Sequence, residues 1–339
     1  MWFGSYNPRL VCGMPDDWLW VLNKIYIVIG KNGIYVSCAP HRGDMPMSLS
    51  KRPTLERFSL YMVAATLMIA VITASLLGSG CIGGGGDGDD AQQSMKLQIA
   101  GSTTVLPIAE ECARVFMEQR PGDRVFVSGG GSSHGVKAVA DGTMGIGTAS
   151  RDLTDSEMEA HPDLVVHGIA RDAIAIVVHP ENPVEGLTME ELQGIYTGEI
   201  TNWEDVGGVD LRIMVVSREE GSGTRGYFEN AVMKSTGKEI TDHAIIQDSN
   251  GKIRTTVAGD KHSIGFLSLG YASSDVKTVV LDGVAPSTEN VRSGEYAISR
   301  TLLMITKGEP NEDEQAFLDF VLSEDGQKIV ADVHYIPVG

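Results

Sequence analysis

Cysteine is scarce: the 339 residues hold four, Cys12, Cys38, Cys81 and Cys112, with no CxxC pair and no Cys/His cluster at metal-ligand spacing. Such spacing indicates neither a structural zinc site nor a disulfide scaffold. Positive charge is also in short supply. Lys and Arg number 27 against 45 Asp and Glu, a formal charge of −18. That is the wrong sign for a general nucleic-acid binder, whose surface must displace counterions from phosphates. An anion bound by this chain needs a local site that works against the global field. The eight histidines are scattered singly. A Walker-type nucleotide loop is excluded at the most suggestive glycine turn, since GSGTR has neither the lysine nor the spacing of GxxxxGK[ST].

Residues 58–77, FSLYMVAATLMIAVITASLL, carry no charge and follow Lys51, Arg52 and Arg57. A basic stretch leading into an apolar run is the layout of an export signal. The alternative is a permanent transmembrane helix, for which about twenty apolar residues suffice. Gly78, Ser79 and Gly80 lead into Cys81, and the run IGGGGDGDDAQQS after it is small, flexible and polar enough to serve as a tether. Small residues before one cysteine resemble a lipoprotein processing site, with Cys81 as the lipidated first residue. Residues 45–80 are therefore expected to be an export signal and 81–94 a lipid-tether linker. Residues 1–44 fit no export signal and are expected to be a non-native or disordered extension, with a cytoplasmic extension as the alternative. The first 80 residues hold 7 basic and 4 acidic residues, which leaves 20 and 41, or about −21, for the remaining 259. The exterior is acidic and soluble.

From Met95 onward strand and helix patterns alternate, which predicts an α/β fold with crossover helices on mostly parallel sheets. KLQIAGS reads as a strand. In the segment after it Ile108, Cys112, Val115, Phe116 and Gln119 fall at helical spacing, which places Cys112 as a buried core thiol. Thr188 and Glu191 are spaced as a capping box. KTVVLDG reads as a strand, and residues 312–332 as one amphipathic terminal helix.

Three glycine and hydroxyl turns each follow a strand: Gly101-Ser102-Thr103-Thr104, Gly129-Gly130-Gly131-Ser132-Ser133 and Gly221-Ser222-Gly223-Thr224. Ligands of open α/β sheets bind beyond the carboxyl ends of strands, where helix N-termini offer unpaired N–H donors. Glycine lets backbone approach an oxygen closely, and Ser and Thr add neutral donors. Each turn by itself is also ordinary N-capping chemistry. Their convergence would make a donor cage for one small anion, with Arg218 as a two-pronged contact and Glu220 orienting it.

At these residues the chain resembles the phosphate-binding subunit of phosphate ABC importers. The resemblance lies in AGSTTVLP (100–107), GGGSSHGVKA (129–138), IGTASRDLT (146–154), IGFLSLGYA (264–272) and above all REEGSGTR (218–225). It implies a two-lobed periplasmic-binding-protein fold of type II with the ligand in the cleft. It also implies that Thr103, Thr104, Ser132, Ser150, Arg151, Arg218, Ser222, Gly223 and Thr224 bind phosphate, with Glu220 and Ser133 supporting them. In that family an aspartate in the segment matching IGTASRDLT accepts the proton of monohydrogen phosphate and repels sulfate. Here Ser150 stands there, followed by Arg151, with Asp152 and Asp172 as other candidate acceptors. The resemblance places the lobe crossings near 172–174 and 272–276, so that lobe one is 95–172 plus 276–339 and lobe two is 173–275. The implied partners are inorganic phosphate, ABC permease subunits and membrane lipid through Cys81, with no nucleic acid, no metal and no cofactor. The chain is expected to be a monomer anchored outside the cytoplasm. The rival readings are a binder of sulfate, molybdate or another oxyanion, a phosphate sensor, and a phosphate-ester hydrolase using Ser102 or Ser222, with His134 beside Ser133.

Overall fold

A computed structural model of the chain describes residues 94–338 and the strands β1 (Ile25–Gly30) and β2 (Gly33–Cys38). The chain divides into two compact units, Met1–Gly88 and Asp89–Gly339. In the first, β1 and β2 pair antiparallel from Ile25 opposite Cys38 to Gly30 opposite Gly33. The two paired strands are rich in β-branched and aromatic residues, IYIVIG and GIYVSC. The expected export signal, the lipid-tether linker and Cys81 lie outside the described residues. Among the described residues no helix is long and apolar enough to cross a membrane.

The second unit begins with β3 (Lys96–Gly101), α1 (Leu106–Gln119), β4 (Arg124–Gly129), α2 (Ser132–Ala140), β5 (Ile146–Ala149) and α3 (Asp155–Ala160). The three strands are parallel in the order β4-β3-β5. Ile108, Cys112 and Phe116 on α1 are buried as the helical spacing requires, and burial pushes the Cys112 thiol up to about 12. A thiol so shifted stays protonated at neutral pH and is a core hydrophobe.

The next strand, β6 (Leu164–Val178), is fifteen residues long and belongs to both halves of the unit. Its first part pairs with the strand Ser299–Lys307, and its last part, Ile174 to Val178, pairs with the strand Ser263–Ser268. Between these come β7 (Gly186–Leu187), α4 (Met189–Thr197), β8 (Met214–Arg218), α5 (Gly223–Phe228), β9 (Ile245–Gln247) and α6 (Asn250–Gly259). The capping box on α4 is present, with the Glu191 N–H donating to Thr188 Oγ1 at 3.1 Å and the Thr188 N–H to Glu191 at 2.7 Å. β10 (Ser263–Ser268) runs parallel to β8, and β8 to β9. Each half thus holds a parallel trio completed by antiparallel strands.

The return crossing lies later than the family resemblance implied. β11 (Lys277–Thr278) pairs with the end of β6, and β12 (Val280–Leu281) with β7. Val279, Leu281, Val291, Tyr296 and Ile298 pack into the same apolar cluster as Ile174, Trp203 and Phe266. Residues 276–298, including α7 (Thr288–Ser293), therefore belong with the second half, and the chain returns at Ser299, the start of β13 (Ser299–Lys307). Within β6 the pairing changes partner after Ala173. The terminal helix is also two, α8 (Glu312–Leu322) and α9 (Glu324–Asp332), broken at Ser323, whose side chain accepts from the Gly326 N–H. Both pack with α1 on the first half's core, through Phe317, Leu318 and Val330.

Candidate functional site

All three turns meet where the two halves face each other. At the first, Gly101 sits at φ +141°, and a Cβ there would lie 2.3 Å from the Thr148 carbonyl oxygen, so only glycine permits the approach of β3 to β5. Ser102 Oγ accepts from the Thr104 N–H at 3.1 Å, curling the turn before α1. At the second turn Ser132 opens α2, fully buried, and its Oγ accepts from the Ser150 N–H at 3.1 Å. At the third, Ser222 caps α5, and Gly223 packs directly over the other two. A Cβ on Gly223 would lie 2.1 Å from Ser132 Oγ and 2.6 Å from Ser150 Oγ.

Hydrogen bonds cross between the halves at this point. The Ser133 N–H donates to the Gly221 carbonyl at 3.1 Å. Thr104 Oγ1 and Thr224 Oγ1 lie 3.1 Å apart. Arg218, at the end of β8 and 1% exposed, reaches Thr103 Oγ1 at 3.3 Å with Nη2. Tyr271 donates to the Thr103 carbonyl at 2.8 Å, and within the first half Tyr335 donates to the Thr104 carbonyl at 2.7 Å. Burial pushes the Tyr271 hydroxyl up to about 12, which keeps it a donor at neutral pH.

Three buried side-chain polar atoms among the described residues have no partner: Ser150 Oγ, Ser217 Oγ and Arg218 Nη1. Buried polar groups are nearly always paired, so an orphan calls for a reason. Two of these three belong to the turn cluster, and an anion's oxygens would satisfy both.

The chain matches the model of the PBP superfamily domain over residues 87–325. It is 36% identical over 251 residues to the phosphate-binding protein PstS of Bacillus subtilis, covering 74% of this chain and 83% of that one. The chain belongs to this family of phosphate-binding proteins. The PstS of Borreliella burgdorferi is 30% identical over 253 residues, covering 71% and 90% of the two chains. Among solved structures, a candidate phosphate ABC transporter substrate-binding protein of Clostridium perfringens, with bound phosphate, aligns at TM-score 0.69 and 41% identity. That alignment covers 72% of this chain and all of the other. An ABC-type phosphate transport receptor of Vibrio cholerae aligns at TM-score 0.61 and 35% identity over 71% and 99% of the chains. The fold is that of the type II periplasmic binding proteins, as the resemblance implied.

Thr103, Thr104, Ser132, Ser150, Arg218, Gly223 and Thr224 come together; Ser222 is buried at the cap of α5. Arg151 does not join them. Its guanidinium donates to Glu157 at 2.8 Å and to Ser133 Oγ at 3.0 Å, so its charge is spent on the rim, where it lines an open groove of about 590 Å³ with Arg225. Glu220 does not orient Arg218 either: it is exposed, and Glu219 holds the guanidinium through Nε at 2.9 Å and Nη2 at 3.0 Å. Asp152 is exposed. Asp172 is buried and occupied: burial raises its carboxyl, while Arg300 opposes that rise through Nε at 3.0 Å and Nη2 at 2.8 Å, and Ser268 donates at 2.9 Å. Arg300 also donates to the Ser150 carbonyl at 3.0 Å. Sequence reading missed Arg300, Asn250 and Glu219. The glycine turns announce themselves locally, but Asp172 and Arg300 stand 128 positions apart with no motif around either.

Proposed function

We propose that this chain is an extracytoplasmic solute-binding protein that captures inorganic phosphate between its two halves and delivers it to an ABC permease. The observation that carries this reading is the pair of orphaned buried donors, Arg218 Nη1 and Ser150 Oγ, among converging glycine and hydroxyl turns. Charge-assisted contacts from a buried arginine are strong, and neutral hydroxyl and backbone donors hold an anion without opposing the protein's acidity. The phosphate ligands in this reading are Thr103, Thr104, Ser132, Ser150, Arg218, Ser222, Gly223 and Thr224, with Glu219 in the orienting role. Arg151 and Ser133 act at the rim. The chain crosses between halves twice, in β6 and at the start of β13, which suits closure about a hinge that buries the anion and changes the face shown to the permease. Lipidation at Cys81 behind an export signal at 45–80 would hold a monomeric binding unit at the outer face of the cell membrane.

Among the described residues neither Ser102 nor Ser222 is hydrogen-bonded to a histidine; each accepts from a backbone N–H. A broader oxyanion reading draws on Ser150, which stands where the family has a sulfate-repelling carboxylate. Calorimetric titration of the ligand-stripped chain with phosphate and then sulfate, across the second ionisation of phosphate, tests both. Tight phosphate binding that excess sulfate leaves intact is expected. Equal binding of the two anions would establish the broader reading, and no binding of either would remove the function.

A further inference from the structure

Asn250 is the first residue of α6 and is fully buried. The Ser268 N–H donates to its Oδ1 at 3.1 Å. A backbone N–H can only donate, so this bond settles the amide's orientation, and Nδ2 must face the opposite way. There it meets Thr104 Oγ1 at 3.0 Å. Arg300 Nη2 approaches the same oxygen at 3.4 Å, a long contact from a second group that can only donate.

A hydroxyl has one proton and two lone pairs. With donor-only groups directed at both lone pairs of Thr104 Oγ1, its proton has to point away from them, toward Thr224 Oγ1 at 3.1 Å or toward a ligand. Distance alone leaves the donor of the Thr104–Thr224 contact open; Asn250 and Arg300 decide it. Thr224, accepting from Thr104, then has its own proton free to pass on. Hydrogen bonds in such a chain polarise one another.

We propose that Asn250, with Arg300, is a positioning residue that fixes the Thr104 hydroxyl as a donor, so that Thr104 gives its proton to Thr224, Thr224 presents its own O–H to the bound oxyanion, and Thr104 cannot accept from the ligand. This rests on the reading of the cleft as the phosphate site. It carries a consequence for selectivity: the proton of monohydrogen phosphate must be read by a group other than Thr104. Arg218 from β8 shares Thr103 Oγ1 with Asn250, and Arg300 from β13 shares Thr104 Oγ1 with it, the charge of Arg300 being neutralised by Asp172 from β6.

A double-mutant cycle in the full chain tests the assignment, with N250A, T104V and the two combined. Affinity is read from the phosphate-induced rise in Tm, which reaches into the millimolar range. Losing one oriented hydrogen bond to an anion predicts about a tenfold weaker phosphate affinity for N250A. In the T104V background, where no hydroxyl remains to be oriented, N250A should weaken binding by less than about twofold, the limit of additivity error for independent sites. Equal losses in both backgrounds would mean that Asn250 merely props the start of α6, and no loss in the wild-type background would also overturn the proposal. R218Q separates this from the underlying reading. If R218Q abolishes phosphate binding while N250A does nothing, only the polarity assignment falls. If R218Q and T104V both bind phosphate normally, the cleft is not the phosphate site and both fall.

Discussion

Two arginines are buried to the same degree in this molecule, and they do opposite things. Arg300, at the crossing between halves, is 1% exposed beside an Asp172 that is also 1% exposed. Every nitrogen of its guanidinium has a protein partner: Asp172, the Ser150 carbonyl and Thr104. Arg218, on the cleft wall, is 1% exposed too, but its carboxylate partner Glu219 is 27% exposed and its Nη1 has no partner. A guanidinium whose donors are all engaged is a structural fastening. One that keeps a donor unpaired in a dry site has been held ready for something else.

That contrast is broken or sharpened first at Asp172. D172A leaves Arg300 buried and uncompensated, and removing one partner of such a pair costs about 3–5 kcal/mol. Denaturant unfolding of the unliganded protein should show a loss of that order, with phosphate affinity affected only as far as the fold survives. A loss below about 1 kcal/mol would mean that Arg300 finds water and that the crossing is softer than its burial indicates.

R218Q is the counterpart. The contacts at stake are charge-assisted hydrogen bonds, about 1.5–3 kcal/mol each, so phosphate affinity should fall about a hundredfold or more. The unliganded Tm should change little, because Glu219 can turn to solvent. If R218Q destabilises the unliganded protein as much as D172A, the two arginines are alike and the distinction between fastening and ligand fails.

How far the sequence discloses this follows the same line. The three glycine turns, the α1 core face and the capping box on α4 are local patterns, legible because each is carried within a span of about four to twelve residues. The Arg300–Asp172 pair is assembled by topology from strands far apart in the chain, and nothing around Arg300 in ISRTLL distinguishes it from a surface arginine. Glu219 and Glu220 are adjacent and chemically identical, so their order in the sequence does not say which one faces Arg218; the fold brings Glu219 to it and leaves Glu220 exposed. The return crossing was misplaced for a related reason. KTVVLDG has the pattern of a strand, and pattern does not say which half of a two-part sheet will pair with it; β6 and β7 claim it for the second.

G223A probes closure itself. A Cβ at 2.1 Å from Ser132 Oγ cannot be accommodated while the halves are together, and overpacking of this kind costs about 1–3 kcal/mol. The cost falls on the closed form alone, so it appears as weaker phosphate binding, about fivefold to a hundredfold, with the unliganded Tm unchanged. Unaltered affinity would mean that phosphate binds without the Gly223–Ser132 contact.

The smallest expected effect is the most selective. Ser150 Oγ is buried and has no partner, so S150A should not disturb the fold. If Thr104 is held as a donor, Ser150, whose oxygen has no partner, is a hydroxyl of the cluster free to accept the proton of monohydrogen phosphate while donating its own to another ligand oxygen. Sulfate has no proton to offer and loses only a donor. S150A should therefore weaken phosphate by about tenfold, the worth of one hydrogen bond with its buried partner left unpaired, and weaken sulfate by less, narrowing the ratio of the two affinities measured at one pH. Equal losses for both anions would show that Ser150 serves only as a donor, and would move the reading of the phosphate proton to a backbone carbonyl at the cleft.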